Sequence, residues 1–231
     1  MEYNFSKLWE AQFFGFYEFK EFYQYASDKE AQINYYKRLK AVYVSENGEY
    51  EAEMSQSMID FRIEANASAL KMITNQLIVF LFTRYEFVIQ DAIKCLFCDN
   101  PERLLKLIKI YPDYRDAIGF SLVEFVKYES KEKYVTILSE RLSSKILSGK
   151  PSNTIKRLRC LLDFEAINTA ILDELMDKRN NIVHEGKIYE IKLNELESYY
   201  EITEAVLRAL AIALRNINIT VIDNGNLLSE E

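Results

Sequence analysis

The feature that most constrains the fold is a long stretch, residues 59–97, that contains neither glycine nor proline. Its middle, residues 70–93, is apolar on nearly every side of a helix, which predicts a long helix in the centre of a bundle, ending before Pro101. Its most apolar run, at 77–82, is followed by Arg84 and Glu86 and is too short to span a membrane. Only six Gly and three Pro occur in 231 residues, too few for the turns of an all-β protein. The sequence therefore predicts an all-α helical bundle with no membrane span.

The first part of the chain differs from the rest by its crowding of aromatic residues. We expect a helix at 6–26, with Trp9, Phe13 and Phe16 on one face, and a second helix at 29–44. Core packing is the favoured role of the aromatic face, and a dimer surface or a partner-binding face is the alternative. The turn at 45–49 then separates an N-terminal helical extension, 1–58, from the main bundle, 59–217. The tail, 218–231, is expected to be flexible.

Further helices are predicted after the central one. Apolar spacing places them at 102–110, 114–127 and 131–147. After a turn at 148–152, a helix capped by Ser152 or Asn153 is expected to run to about residue 162. Another is expected at 165–183, with Gly186 as its C-terminal stop, and a closing helix at 194–216.

Cysteine usage and the N-terminus indicate a reducing compartment. The three cysteines, Cys95, Cys98 and Cys160, are odd in number, and the first residues do not resemble a secretory leader, so we expect a cytosolic protein. Cys95 and Cys98 form a C-x2-C pair, but no second pair stands at zinc-finger spacing. Buried structural thiols are the favoured interpretation, and neither a metal nor a cofactor is predicted.

The most informative segment surrounds His184, the only histidine of the chain. Arg179 lies five residues before it and Asn180 four, so on a helix Asn180 and His184 share a face and the Asn amide could orient the imidazole. A histidine can move protons near neutral pH, and an arginine fork suits a phosphate. These are the parts needed for metal-free RNA cleavage, in which the 2′-hydroxyl attacks the adjacent phosphate. Ordinary helix-end residues are the alternative, because this spacing alone is a weak motif.

A single histidine does not easily serve as both base and acid. In a two-fold dimer the same patch meets its own copy, so two Arg179 and two His184 would form one composite site. The histidine count therefore predicts a homodimer as the active unit.

Basic residues near the motif are candidates for RNA binding. The net charge of −7 does not favour nucleic-acid binding by the whole surface. However, residues 141–160 hold six Lys and Arg and no acidic residue. The alternative there is a solvated helix face. The RNA-binding candidates, which include one lysine beside the motif, are Lys145, Lys150, Lys156, Arg157, Arg159 and Lys178.

At these residues the sequence resembles the HEPN superfamily, whose signature is Arg, a polar residue that is often Asn, three variable residues and His. Here it reads Arg179-Asn180-Asn181-Ile182-Val183-His184. The chain also resembles the larger stand-alone bacterial HEPN-like nucleases. The likeness covers about residues 60–217, and its shared features are a long apolar helix with an acidic position at Glu86, a helix start at 149–153 and a long closing helix.

The resemblance implies an all-α, dimeric, metal-independent endoribonuclease that serves as a toxin or an anti-phage defence effector. It implies that Arg179 and His184 are catalytic, that Asn180 supports them, and that an antitoxin or another regulatory protein is a possible partner. Toxins of the two-gene HEPN–nucleotidyltransferase systems often carry a modified Tyr two residues after the His, where this chain has Gly186. Two other functions stay open: a HEPN-like module that binds RNA, a nucleotide or a protein without cleavage, and a structural dimer built on the aromatic N-terminal helices.

Overall fold

Helices make up most of the structure, a computed structural model that describes residues 2–99, 102–117, 119, 121–128, 130–163 and 166–228. The helices are α1 (Phe5–Ser27), α2 (Lys29–Tyr36), α3 (Gln56–Asp99), α4 (Glu102–Ile110), α5 (Leu122–Lys127), α6 (Lys131–Leu147), α7 (Pro151–Arg159), α8 (Thr169–Glu185) and α9 (Leu193–Asn216). The strands are β1 (Tyr3–Asn4), β2 (Lys40–Ser45), β3 (Gly48–Glu53) and β4 (Val221–Ile222). The all-α prediction is confirmed, because the strands form only two small two-stranded pairs among the described residues.

Helix α3 is the centre of the fold, as its sequence predicts. It packs against α1, α6, α8 and α9. Its buried side chains include Ile78, Leu81, Tyr85, Ile89 and Ile93. Among the described residues, only α3 is long and apolar enough to cross a membrane, a test that the core helix of a soluble protein also meets. The predicted stop at Pro101 lies outside the described residues.

The aromatic helix α1 lies on α9. Trp9 Nε1 donates to Glu204 at 2.8 Å, and Gln12 Nε2 donates to the Thr203 hydroxyl at 2.7 Å. One turn further, the Phe16 ring stacks on Tyr200 at 4.5 Å. The face predicted for core packing is therefore used against α9, whereas other aromatic side chains of α1 are exposed: Phe14, Tyr17, Phe22 and Tyr25.

The predicted second helix at 29–44 is wrong in its second half. Helix α2 ends at Tyr36, and residues from Lys40 onward form a hairpin of β2 with β3. Alternating β-branched and aromatic residues in β2 suit a strand, and the Asn47-Gly48 turn, with Gly48 at φ 109°, closes the hairpin. Tyr43 and Tyr50 stack across the two strands at 5.6 Å. Four apolar residues at helical spacing predicted a helix here, but the strand preference of β2 and the turn that follows it favour the hairpin instead.

Two predicted helix boundaries after α3 also differ. The expected helix at 114–127 is a short 3-10 turn, Pro112–Tyr114, followed by α5. Helix α7 has Lys150 as its N-cap and Pro151 in its first turn, so the predicted caps Ser152 and Asn153 are inside the helix. The cap comes instead from a distant residue, because the Asp173 carboxylate of α8 accepts the Ser152 N–H at 2.8 Å.

The C-terminal tail was expected to be flexible, but its described residues bind to the N-terminal segment. Strand β4 pairs in parallel with β1, with Tyr3 opposite Val221. The Asn224 N–H donates to the Ser6 hydroxyl at 2.7 Å, and Leu228 is buried. A tail rich in Asn and Asp looks unfolded in sequence, but its hydrogen bonds to the N-terminus hold it. Residues 229–231 lie outside the described part.

Candidate active site on helix α8

Helix α8 carries the predicted motif in its last two turns. It begins after Asn168, whose side chain accepts the Ala170 N–H, and buries Leu172 and Leu175 in the core. Residue 165 itself lies outside the described residues, but the predicted start there is too early, because residues 166–168 are not helical and α8 begins at Thr169. The predicted stop is confirmed, because Gly186 adopts the left-handed conformation at φ 64° and its N–H donates to the Asn181 carbonyl. The motif is thereby fixed at the surface end of a helix whose other face is buried.

Arg179 is partly buried and only partly satisfied by the protein. One Nη atom donates to Asn180 Oδ1 at 2.9 Å, and the guanidinium lies over the Phe82 ring at 5.8 Å. Its Nε is buried and finds no acceptor among the described residues. An arginine has five N–H donors, so the fork keeps donors that the described residues do not pair.

Glu86 of α3 lies within the electrostatic reach of Arg179. Burial raises the pKa of the Glu86 carboxyl above its ordinary value, and the positive charge of Arg179 partly opposes that shift. The acidic position noted in the sequence therefore belongs to the electrostatic surroundings of Arg179.

His184 stands in the last turn of α8 with its side chain exposed. Within the described residues it accepts and donates no hydrogen bond, and Asn180 bonds to Arg179 rather than to the imidazole. The prediction that Asn180 orients His184 is therefore wrong for this single chain. Asn180 instead orients the arginine, and the imidazole is open to a ligand or a second copy.

The segment after His184 is held by a buried residue that sequence reasoning missed. The Asn75 side chain of α3, buried, accepts the Tyr189 N–H at 2.9 Å and donates to the Tyr189 carbonyl at 2.8 Å. Asn181 of α8 donates to the Tyr189 hydroxyl at 2.7 Å. This clasp ties the loop at 186–192 both to α3 and to the motif helix. Its signal in the sequence was weak, because Asn75 is one of several amides in the apolar part of α3 and stands directly before Gln76.

Lys178, predicted to bind RNA, is engaged inside the protein. Its ammonium donates to Glu174 and Tyr199, each at 2.7 Å, and to Glu195. Burial lowers the pKa of Lys178, but these hydrogen bonds outweigh it and raise the pKa above its ordinary value. Lys178 therefore joins α8 to α9, and the structure does not bring it to an open basic surface.

The basic window contains exposed side chains and one arginine whose donors serve the fold. Lys145, Lys150, Lys156 and Arg159 are exposed. Arg157, in contrast, donates to the Ile146 carbonyl at 2.8 Å and to the Ser148 carbonyl at 2.5 Å, so it holds the turn between α6 and α7. Because α7 packs against α8, Lys156 and Arg159 are carried by a helix next to the motif helix, whereas Lys145 lies on α6 and Lys150 in the turn before α7.

The cysteines are free, and Cys95 is buried. Burial raises the pKa of the Cys95 thiol to about 12, which suits the predicted structural role. Within the described ranges, no group of three His, Cys, Asp or Glu side chains is arranged to hold a metal ion.

A bundle around a long central helix, with the Arg-Asn-x3-His motif at the end of the penultimate helix, defines a HEPN-type domain. The chain belongs to the RiboL-PSP-HEPN family, whose family model matches residues 49–216. No curated protein and no solved structure matched the chain in the same comparisons. The match begins in the hairpin, so α1 and α2 lie outside it, whereas the motif lies within it.

Proposed function

We propose that this protein is a metal-independent endoribonuclease whose active site is built from Arg179 and His184. The observation that carries the proposal is the arginine fork, which is held by Asn180 and Phe82 yet keeps a buried Nε and further donors without an acceptor among the described residues. Buried donors are normally paired, so an unpaired one on the same helix as an exposed histidine, five residues before it, supports a site for an anionic group such as the RNA phosphate.

The reaction follows from the chemistry of the two side chains. The 2′-hydroxyl loses its proton to a neutral imidazole and its oxygen bonds to the adjacent phosphorus. The bond from phosphorus to the 5′-oxygen breaks, and a protonated imidazole gives its proton to that leaving oxygen. Arg179 stabilises the negative charge that gathers on the phosphate oxygens. The products are a 2′,3′-cyclic phosphate and a 5′-hydroxyl end.

The two proton transfers call for two imidazoles. We assign the base to His184 of one copy and the acid to His184 of the partner subunit in a two-fold dimer. Exposed apolar side chains beside the histidine support this arrangement: Val183 is 47% exposed and Ile188 is 56% exposed. In a dimer they would be covered, and each imidazole would gain the ordered surroundings that it lacks in a single chain.

The RNA backbone is assigned to the exposed basic residues Lys145, Lys150, Lys156 and Arg159 on α6, on α7 and in the turn between them. They give a local positive surface to a protein with a net charge of −7. Arg157 and Lys178 are left out of this surface because their donors serve the fold.

The biological role that we propose is that of a cytosolic toxin or anti-phage defence effector, with an antitoxin or another regulatory protein as a partner. A second function, a HEPN-like module that binds RNA, a nucleotide or a protein without cleavage, is supported by one observation. His184 has no hydrogen bond that orients it among the described residues, and a binding site would need none.

The experiment compares cleavage of total RNA in EDTA by wild type, His184→Ala, Arg179→Ala and Glu185→Ala. Loss of a proton-transfer group lowers the rate by about 10²–10⁴-fold, and loss of a charge-stabilising donor lowers it by about 10²–10³-fold. His184→Ala and Arg179→Ala should therefore each cleave at least about a hundredfold more slowly than wild type. Glu185→Ala, in the same exposed turn as His184, is the matched control and should cleave like wild type. Cleavage that survives His184→Ala in folded protein would overturn the proposal, and RNA binding without turnover by wild type would favour the second function.

A further inference from the structure

A cavity of about 530 Å³ lies where the end of α1 and the start of α2 meet α3. Neither Arg179 nor His184 lines it. Its volume falls within the range of cavities that bind small organic molecules. Part of its lining, from Tyr23 to Gln32, lies before residue 49, where the family match begins. The cavity is thus built jointly by the family domain and by a segment outside the match.

The wall of this cavity is fixed by a hydrogen-bond network. Gln32, which lines the cavity and is buried, donates from Nε2 to the Ala26 carbonyl at 2.7 Å. Asn66 of α3 donates to Gln32 Oε1 and to the Tyr36 hydroxyl, each at 2.9 Å. These bonds join α1, α2 and α3 around the space, so a ligand would meet a wall that is already ordered.

The lining combines positive charge with apolar surface. Lys29 and Lys71 both line the cavity, and neither forms an ion pair with a residue that the structure describes. Glu190 is the one acidic side chain of the lining. Ile63 and Leu70 add apolar area from α3. Two ammonium groups against one carboxylate, next to aliphatic side chains, suit a small anion with an apolar body.

The cavity is connected to the motif helix through the loop at 186–192. Glu190 and Ile191 of this loop line the cavity, directly after the clasped residue Tyr189. On the α3 side, Thr74 lines the cavity and precedes Asn75, which forms the clasp. A ligand that contacts this wall would therefore restrict the same loop that Asn181 ties to the end of α8.

We propose that this cavity binds a small organic anion, a carboxylate or phosphate attached to an apolar body, and that the bound anion orders the loop at 186–192 beside His184. The binding site stands independently of RNA cleavage. Its regulatory consequence, a change in the cleavage rate when the anion binds, rests on the proposed nuclease function.

Binding is tested on the full chain with anilinonaphthalene sulfonate, an aromatic anion whose fluorescence reports its binding. We expect saturable binding that weakens at least about tenfold in Lys29→Glu/Lys71→Glu, since both charges are reversed. Lys106→Glu/Lys109→Glu, which reverses two exposed lysines on α4, should bind like wild type. Ala67→Trp fills the cavity without altering its charge and should also abolish this binding. Equal binding by wild type and both cavity variants would overturn the proposal.

Competition and hydrogen exchange complete the test. Displacement of the probe by phenyl phosphate or by phenylacetate identifies the preferred anionic group, and displacement by neither overturns the proposed ligand class.

Amide exchange at 186–192 should slow on binding, in wild type and in His184→Ala alike. Unchanged exchange would contradict the link to the loop. Because neither readout needs RNA cleavage, an inactive wild type would count against the nuclease and leave this inference standing.

Discussion

At the residue scale, the site depends on how the donors of a few side chains are used. Arg179 donates to Asn180 and has further N–H donors without an acceptor among the described residues. The ammonium of Lys178, its neighbour in sequence, instead donates to three side chains: Glu174, Glu195 and Tyr199. Both are basic residues of one helix, and the sequence predicted a catalytic role for Arg179 and RNA binding for Lys178. Their difference lies in which face of α8 meets α9, which is decided by packing rather than by residue type.

The clasp at Asn75 gives a prediction at this scale. Asn75→Ala leaves the buried backbone N–H and C=O of Tyr189 without partners, so the free energy of unfolding should fall by about 1–3 kcal/mol. Urea denaturation followed by circular dichroism measures the change, and hydrogen exchange at 186–192 should become faster. Gln76→Ala, an exposed neighbour on α3, is the control. If both variants unfold at the same urea concentration, the clasp does not stabilise the fold.

His184 and Arg179 could be found in the sequence for two reasons. His184 is the only histidine of the chain, and Arg179, a residue type that binds phosphate, stands at a fixed spacing before it. Asn75 could not, since it lies 114 residues from its partner Tyr189. A contact of that separation exists only once the bundle has formed. The same reason explains the Asp173 cap on α7, which replaced the local cap expected at Ser152.

At the element scale, the long helices were predicted within a few residues because their apolar period extends over many turns. Helices α4 and α6 have the predicted bounds, and α9 begins one residue early. The failure at β2 has a physical cause: a segment of a few residues fits either a helical or a strand pattern, and the Asn47-Gly48 turn decides the outcome. Short elements are set by turn chemistry and neighbours more than by their own period.

The end of α8 gives a prediction at the element scale. An alanine at Gly186 would be forced into the left-handed conformation at φ 64°, although nothing crowds its Cβ, so Gly186→Ala should destabilise the fold by about 1–2 kcal/mol. Gly15→Ala is the matched control, because Gly15 lies inside α1 with equally open space, and it should stabilise by about 0.5–1 kcal/mol. Thermal unfolding compares the two. A shift in the same direction for both would contradict this account of the cap.

At the scale of the whole molecule, the proposed mechanism needs two imidazoles, and one histidine per chain therefore predicts that two chains meet at α8. The chain has a mass of 27.2 kDa, so light scattering should measure a molar mass of twice that value. Val183→Asp places a charge beside His184 in the proposed interface, and it should give a folded monomer without nuclease activity, because burying an unpaired carboxylate costs several kcal/mol. Val126→Asp alters a valine on α5 that is more exposed than Val183, and this variant should remain dimeric. A wild-type protein that is monomeric yet active would contradict the composite site.

Cleavage by 2′-hydroxyl attack is identified by the ends of the cleaved RNA. Purified wild type is incubated with total RNA and tRNA in EDTA, and both new ends of each cut are identified. The mechanism predicts 2′,3′-cyclic phosphate and 5′-hydroxyl ends, which form only when the 2′-oxygen attacks the phosphorus. Cuts that leave 3′-hydroxyl and 5′-phosphate ends would show that water is the nucleophile and would contradict the roles given to Arg179 and His184.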